Sequence, residues 1–282
     1  MLFFAAKEYC AVVIFVNQRI FTIIGGMPRA GSRQFADILN ASGQFNIFGE
    51  VYRSSFLALG DLFKVADREH SGTWSEKNYL RRRWDTVAAC LCGISKGSQW
   101  RDDVTFLGIK TPRIEAHYDV IDRLFLSNGA SVQFFYCCRN LIENYCSMHS
   151  NFGTTPSAYK RILSKSIEGL KIIQLDPRIK TNFLSLDSFV AEENKARWLL
   201  DRIFKNYFSL NVSEKQCADW LSMTSNRNST EAVGRKKKEI DAHTLRILSG
   251  SEDLRDIAKY ISDQLAHQNS LEGQIQEFEK TE

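Results

Sequence analysis

The stretch Ser131-Val132-Gln133-Phe134-Phe135-Tyr136-Cys137 constrains this chain more than any other. It is too short for a buried helix, and it is rich in β-prone side chains at both odd and even positions. A strand with one wet face alternates apolar and polar residues. A strand apolar on both faces belongs to a parallel sheet covered on both sides. Parallel neighbours require crossover connections, which are usually helices. The sequence supplies the parts. Short apolar runs at 21–24, 45–48, 104–109 and 181–186 alternate with longer helical patterns at 32–41, 114–126, 139–151 and 157–175. Residues 54–95 also read as mostly helical, with a break near 70–73. A further helix runs through Trp198 to Phe208, and the charged tail is helical from about Asp241. The expected fold class is therefore α/β, a three-layer sandwich with a central, mostly parallel sheet flanked by helices. With 282 residues, no internal repeat and no low-complexity linker, the chain reads as a single domain over 1–282. It divides into an N-terminal extension (1–20), a core (21–210), and a polar loop with a helical tail (211–282).

Composition excludes several classes. With 44% hydrophobic and 25% charged residues and four prolines, the chain is neither disordered, collagenous nor a coiled-coil rod. A net charge of +4 falls short of the concentrated Lys/Arg excess of a nucleic-acid binder, so no nucleic-acid partner is expected. The seven cysteines (Cys10, Cys90, Cys92, Cys137, Cys138, Cys146 and Cys217) are odd in number and include no C-x-x-C pair. They read as thiols in a reducing compartment, with neither a disulfide framework nor a metal site. Residues 1–26 are apolar but interrupted by Lys7, Glu8, Gln18 and Arg19. Their unbroken run at 10–16 is far below the ~20 residues of a membrane span. The stretch starts apolar where a secretory signal starts basic. A cytoplasmic protein without a membrane partner is expected, its first residues forming an extra strand or hairpin. The sequons at Asn40, Asn211 and Asn228 are then chance matches.

Two stretches carry chemistry. The first is Gly25-Gly26-Met27-Pro28-Arg29-Ala30-Gly31-Ser32-Arg33, a strand, a tight loop and a helix start. Such a loop aims backbone N–H groups at one point, where the helix dipole adds positive charge. Ser32 is placed to cap the helix, and Arg29 and Arg33 add fixed charge. Phosphate or sulfate is the natural guest. This is not a Walker loop: Ser32 follows Gly31 directly, with no lysine between. The second stretch places Arg139 at the carboxyl end of the 131–137 strand and Ser147 eight residues on, about two helical turns later. A guanidinium and a hydroxyl so spaced can clamp a second phosphate. The run Arg81-Arg82-Arg83-Trp84 reads either as a solvated helix face or as a basic wall over an anion site. Trp74, Tyr79 and Trp84 line a pocket or belong to the core.

Two anion sites in this order resemble the sulfotransferases that use 3′-phosphoadenosine 5′-phosphosulfate (PAPS) and release PAP. The loop Pro28-Arg29-Ala30-Gly31-Ser32-Arg33 is similar to that family's Pro-(Lys/Arg)-x-Gly-Thr-x pattern. Arg139-Asn140 with Ser147 keeps its spacing. Leu107-Gly108-Ile109-Lys110-Thr111-Pro112 resembles its strand ending in Lys-Thr or Lys-Ser-Pro, and residues 183–189 resemble its late strand. The resemblance covers about residues 21–210. It implies a P-loop-NTPase-like sulfotransferase fold. Arg29, Ala30, Gly31, Ser32 and Arg33 would then hold the 5′-phosphosulfate, and Arg139 and Ser147 the 3′-phosphate. Gly234-Arg235-Lys236 is the nearest match to the family's late Arg-Lys-Gly loop, or else a solvated basic run. Arg29 and Lys110 would act at the reacting group. Departures are Leu141 where the family has Pro, Ala30 where it has Ser or Gly, and Pro112 where the cytosolic enzymes carry their basic His. The glycan sulfotransferases use a Glu roughly twenty residues past the first loop, which Glu50 matches. Glu50, partly desolvated, is the expected general base, with His70 and His117 as alternatives and His149 on the surface. The implied activity is sulfuryl transfer from PAPS to a hydroxyl or amine of a small molecule, a secondary metabolite first and an oligosaccharide next. An ATP-dependent phosphotransferase and a non-catalytic nucleotide binder are the readings from other classes.

Overall fold

A computed structural model describes residues 20–69, 76–95, 104–224 and 240–279, with residues 76–77 and 271–279 as backbone only. Strands β1 (Ile20–Gly26), β2 (Phe45–Phe48), β3 (Phe106–Lys110), β4 (Ser131–Cys138) and β5 (Ile179–Ser185) form one sheet in the order β2-β3-β1-β4-β5. Every pair is parallel. The expected mostly parallel sheet is thus wholly parallel among the described residues. Both faces of β4 are buried as its composition requires: Phe134 and Tyr136 on one side and Phe135 on the other are all inaccessible.

Helices cover both faces. On one lie α1 (Ser32–Ala41), α8 (Lys195–Leu199), the π-helical turn Leu200–Lys205, α9 (Asn206–Phe208) and α10 (Glu214–Met223). Their aromatic residues pack together and onto the sheet: Phe45 stacks on Phe106 at 4.7 Å, Phe208 closes on both, and Phe35 meets Trp198. On the other face lie α2 (Arg53–Glu69), α3 (Glu76–Ile94), α4 (Tyr118–Leu124), α5 (Leu141–Phe152) and α6 (Pro156–Leu175). There Phe21 stacks on Phe125 at 4.0 Å and takes the edge of Trp84. The chain closes with α7 (Leu186–Ala191) after β5, then α11 (Ala242–Gly250) and α12 (Glu252–Glu279).

Several expected boundaries move, each for a local reason. The 139–151 helix begins at Leu141, because Asn140 caps it by accepting the N–H groups of Ile142 and Glu143. Arg139 is thereby left in the loop at the strand end. The 114–126 helix is instead the 3₁₀ turn Ile114–His117, α4 and a second 3₁₀ turn Leu126–Asn128, ended by Gly129 at φ 73°. The long helix expected to reach Phe208 is broken, since Ser185 and Asn194 each cap a new start. In the Arg81–Trp84 run, Arg83 and Trp84 are buried. Arg83 donates to Asp67 at 2.6 and 2.8 Å and to the Arg123 carbonyl, and it lies over the Phe63 ring. Neither the solvated face nor the basic wall describes that arginine. The described cysteines are free thiols, and burial pushes Cys138 up to about 12. No described helix is long and apolar enough to cross a membrane.

Candidate active site

β1 sits between β3 and β4, so Ile24 is level with Lys110 and Gly26 with Cys137. The crossovers leave β1 toward β2 and β3 on one side and β4 and β5 on the other. The carboxyl ends at such a reversal form the ligand crevice of open α/β sheets. All the candidate residues within the described structure stand on that edge.

The loop out of β1 is fastened at its base. Gly26 has φ 92°, and a Cβ there would drive into the Cys137 backbone, so glycine is required. The Gly26 N–H donates to Glu115 Oε2 at 3.1 Å, and its carbonyl accepts the Arg113 N–H at 3.0 Å. Met27 N–H donates to the Cys137 carbonyl at 2.9 Å. Arg29 and Gly31 then adopt left-handed backbone, φ 66° and 82°. Left-handed residues ahead of a helix curve the chain into an anion-sized concavity. Gly31, not Ser32, is the N-cap, and it has no side chain with which to cap the opening amides of α1. Ser32 is the first helical residue and is buried, which corrects the capping role expected from sequence. Ala30 is fully buried beneath the loop, and Arg33 is turned along α1 into an ion pair with Asp37 at 2.9 Å.

α5 ties this loop to the second site. The buried Asn144 donates its side-chain amide to the Pro28 carbonyl at 2.7 Å. Arg29 Nε donates to Ser147 Oγ at 3.2 Å. Ser147 thus has Arg29 of the first loop as a partner, so α5 touches that loop directly. Arg139, 25% exposed, donates Nη2 to Glu143 at 3.1 Å and holds Nε 3.6 Å from Asp187. Among the described residues that buried Nε has no hydrogen-bond acceptor. Asp187 in turn accepts the Asn140 N–H at 2.5 Å. A cavity of about 430 Å³ adjoins Arg139, walled by Leu141, Ile142, Tyr159, Leu248, Leu254 and Ile261. That size suits a small organic ligand.

On the other side of the loop, Lys110 ends β3 only 4% exposed, and its Nζ donates to Glu50 Oε1 at 2.5 Å. Burial pulls the Lys110 ammonium below its ordinary range, against the opposing pull of Glu50. The sequence expectation placed the desolvation on Glu50. That side chain is 56% exposed, and the desolvated partner is the lysine. The Val51 N–H donates to Thr111 Oγ1 at 3.2 Å, pinning the Glu50 segment over the end of β3. His117 stands nearby and accepts from Arg53 Nε at 3.0 Å through its Nε2. Burial and then the Arg53 charge hold this imidazole below its usual range. Its accepting nitrogen is already engaged. His149 faces the Thr154 carbonyl through Nδ1.

Two residues of the site escaped the sequence reading. Glu115 is completely buried, holding the Gly26 N–H with one oxygen and accepting Ser166 Oγ–H with the other; Ser166 also meets the Tyr136 hydroxyl at 2.9 Å. Burial raises its carboxyl above the usual range despite the Ser166 hydrogen bond. A lone carboxylate at a core-facing position of an otherwise apolar stretch was the available signal. Asn144 gave none beyond its place on the inner side of α5. Trp84 is core, and Tyr79, bonded to Asp67 at 2.5 Å, is pushed up to about 12 by burial and that carboxylate. His70, Trp74, Gly234, Arg235 and Lys236 lie outside the described residues. Among the described residues, no group of His, Cys, Asp and Glu could hold a metal ion.

No protein-family model and no curated protein matches this chain. Solved structures resemble its path at low identity. A sulfotransferase domain from the Synechococcus PCC 7002 olefin synthase is 14% identical with a TM-score of 0.48, over 87% of this chain and 95% of that one. A sulfotransferase domain from the curacin biosynthetic pathway is 12% identical with a TM-score of 0.46, over 87% and 98%. The sulfotransferase STF9 from Mycobacterium avium is 12% identical with a TM-score of 0.45, over 91% and 79%. Identities this low leave the chemistry to be read from the residues of the site.

Proposed function

We propose that this chain is a sulfotransferase that moves a sulfuryl group from PAPS to a hydroxyl or amine of a small acceptor, a secondary metabolite being the favoured class. The observation that carries the reading is the Arg29–Ser147 contact, which brings a cation of the first loop onto the helix that follows Arg139. On the neighbouring strand end stands a buried lysine paired with a reachable carboxylate. The residues present fit PAPS: among the described residues the buried Arg139 Nε–H has no hydrogen-bond acceptor, and α1 opens on a glycine that cannot cap its amides with a side chain. When bound, PAPS supplies a sulfuryl group whose transfer spreads negative charge much as phosphoryl transfer does.

The division of labour follows from position. The loop 29–33 holds the 5′ end through backbone amides and Arg29. Arg139, Ser147 and Arg29 hold the 3′-phosphate, and the cavity beside Arg139 receives the nucleoside. Lys110, a desolvated cation at the neighbouring strand end, steadies charge on the leaving oxygen. Glu50 keeps one oxygen on Lys110 and offers the other, in solvent reach, to the acceptor proton. Gly234, Arg235 and Lys236, outside the described residues, are proposed as further contacts for the nucleotide.

The test is transfer of radiolabel from sulfur-labelled PAPS to a panel of small alcohols, phenols and amines with one oligosaccharide, with and without EDTA. Labelled product indifferent to EDTA supports the proposal. Transfer of the ATP γ-phosphate in place of sulfate would move the chain to the phosphotransferase reading.

A further inference from the structure

Among the described residues four charged side chains are buried: Arg83, Lys110, Glu115 and Asp176. Three of them meet an opposite charge, on Asp67, Glu50 and Arg178. Glu115 is fully inaccessible and forms no ion pair among the described residues. Its carboxyl is held instead by the Gly26 N–H and the Ser166 hydroxyl. Burying a carboxyl without a cation is unfavourable, and an aliphatic side chain packs in such a place at lower cost. Making room for it is unfavourable too. A Cβ at Gly25 would lie 2.9 Å from Glu115 Oε2, and one at Gly169, inside α6, 2.2 Å from the Glu115 carbonyl oxygen. A glycine within a strand or helix is itself destabilising. Stability therefore does not account for a carboxyl here.

Its position does. Gly26 is the last residue of β1, and the anion loop starts directly behind it. Three hydrogen bonds lace residues 111–115 to that strand end. Thr111 N–H donates to the Ile24 carbonyl at 3.0 Å, Arg113 N–H to the Gly26 carbonyl at 3.0 Å, and Gly26 N–H to Glu115 at 3.1 Å. Gly26 is thus gripped at its amide and at its carbonyl while it makes the φ 92° bend into the loop. Arg113 holds a left-handed backbone, φ 67°, in the same grip. The lacing segment follows Lys110, and its Thr111 hydroxyl accepts the Val51 N–H beside Glu50. We propose that Glu115 is a positioning residue: clamped by Ser166 on α6, its carboxyl fixes the direction in which the 27–31 loop leaves β1, and so sets how well the loop amides hold an anion. The binding part of this rests on the proposed 5′-phosphosulfate site, whereas the loop geometry does not.

Glutamine can make both contacts. Its oxygen accepts from Gly26 and its amide donates to Ser166 Oγ, whose hydrogen then turns to the Tyr136 hydroxyl. Leucine fills much of the space and accepts nothing. The test uses the full chain below its melting temperature, followed by amide NMR. Exchange of the Gly26 N–H is read without ligand, and adenosine 5′-phosphate, adenosine 3′-phosphate and PAP are then titrated. Glu115→Leu should speed Gly26 exchange and weaken adenosine 5′-phosphate and PAP by about tenfold or more, with adenosine 3′-phosphate within about threefold. Glu115→Gln should restore every value to within about threefold of the parent. Ser166→Ala, which releases the other carboxyl oxygen, should weaken adenosine 5′-phosphate in the same sense. Unchanged adenosine 5′-phosphate binding in Glu115→Leu, equal loss of both monophosphates, or a glutamine variant as impaired as leucine would overturn the proposal. If Glu115→Leu does not fold, the other two variants decide: a parent-like Glu115→Gln with a weakened Ser166→Ala supports it, and any other pairing overturns it. If the parent binds no adenosine phosphate, the sulfotransferase reading fails. Gly26 exchange then decides alone, faster in Glu115→Leu and restored in Glu115→Gln upholding the positioning role, and unchanged exchange refuting it.

Discussion

Replacing Glu50 by glutamine leaves the Lys110 ammonium, 4% exposed, without its carboxylate. In a medium of effective dielectric near 20 the attraction at such range is about 4 kcal/mol or more. Glu50 is more than half exposed, so water screens much of it, and a net cost of about 1–2 kcal/mol is expected. For a chain of this size that lowers the melting temperature by roughly 2–6 °C. Lys110→Met is the informative contrast. It removes the buried charge and returns Glu50 to water, so its cost should stay below about 1 kcal/mol. Both variants should lose turnover, Glu50→Gln by about 10²–10⁴-fold, with PAP affinity changed little. The pH dependence has a definite sign. Lys110 titrates lower folded than unfolded, so between those values the unfolded chain binds more protons and stability rises with pH. Glu50→Gln lowers the folded value further, and its deficit should shrink as pH climbs toward the ordinary lysine value of 10.5. Thermal unfolding from pH 7 upward measures all of this. An equal or larger loss for Lys110→Met, or a Glu50→Gln deficit that grows with pH, would refute the picture of a desolvated lysine held by an exposed carboxylate.

Gly26→Ala should cost more than about 2 kcal/mol in urea unfolding, because the site needs φ 92° and its Cβ has nowhere to go. Asp67→Asn should cost about 2–3 kcal/mol at neutral pH by stranding Arg83 in the core. Burial opposes ionisation of Asp67, but the hydrogen bonds from Arg83 and Tyr79 outweigh it and hold the carboxyl below 3.8. The parent therefore has this stability above that value and loses it as pH falls through the folded one, so the two unfolding curves should converge in acid. Arg139→Ala should weaken PAP by about 10–100-fold in calorimetry and leave ADP within about twofold.

The sheet was legible because strands buried on both faces are mostly apolar, and β1, β2 and β4 lie where the apolar runs stand, with Thr22 and Asn46 as buried polar exceptions. The start of α1 was legible from its glycine and serine, although the cap fell one residue earlier. Helix starts at Asn140, Ser185 and Asn194 were less so, since a polar residue inside an amphipathic pattern reads equally as a surface position until its side chain is seen to bond the backbone. Pairings across the chain were invisible for a similar reason. Nothing in the Arg81–Trp84 run says that the third arginine turns inward to Asp67, or that Arg29 reaches Ser147 118 residues away. The residue types at the candidate site could be read from spacing. Their distant partners, including Asp187 beside Arg139, and the burial of Lys110 depend on which elements the sheet order brings side by side.

The most direct test of the central claim is calorimetric titration of the purified chain with PAP, with ADP and AMP as controls. Anion sites at the β1 loop and at Arg139 predict micromolar or tighter binding of PAP and much weaker binding of ADP and AMP, which lack the 3′-phosphate. Equal affinity for all three, or none for any, would contradict the account and leave the β1 loop with a different guest.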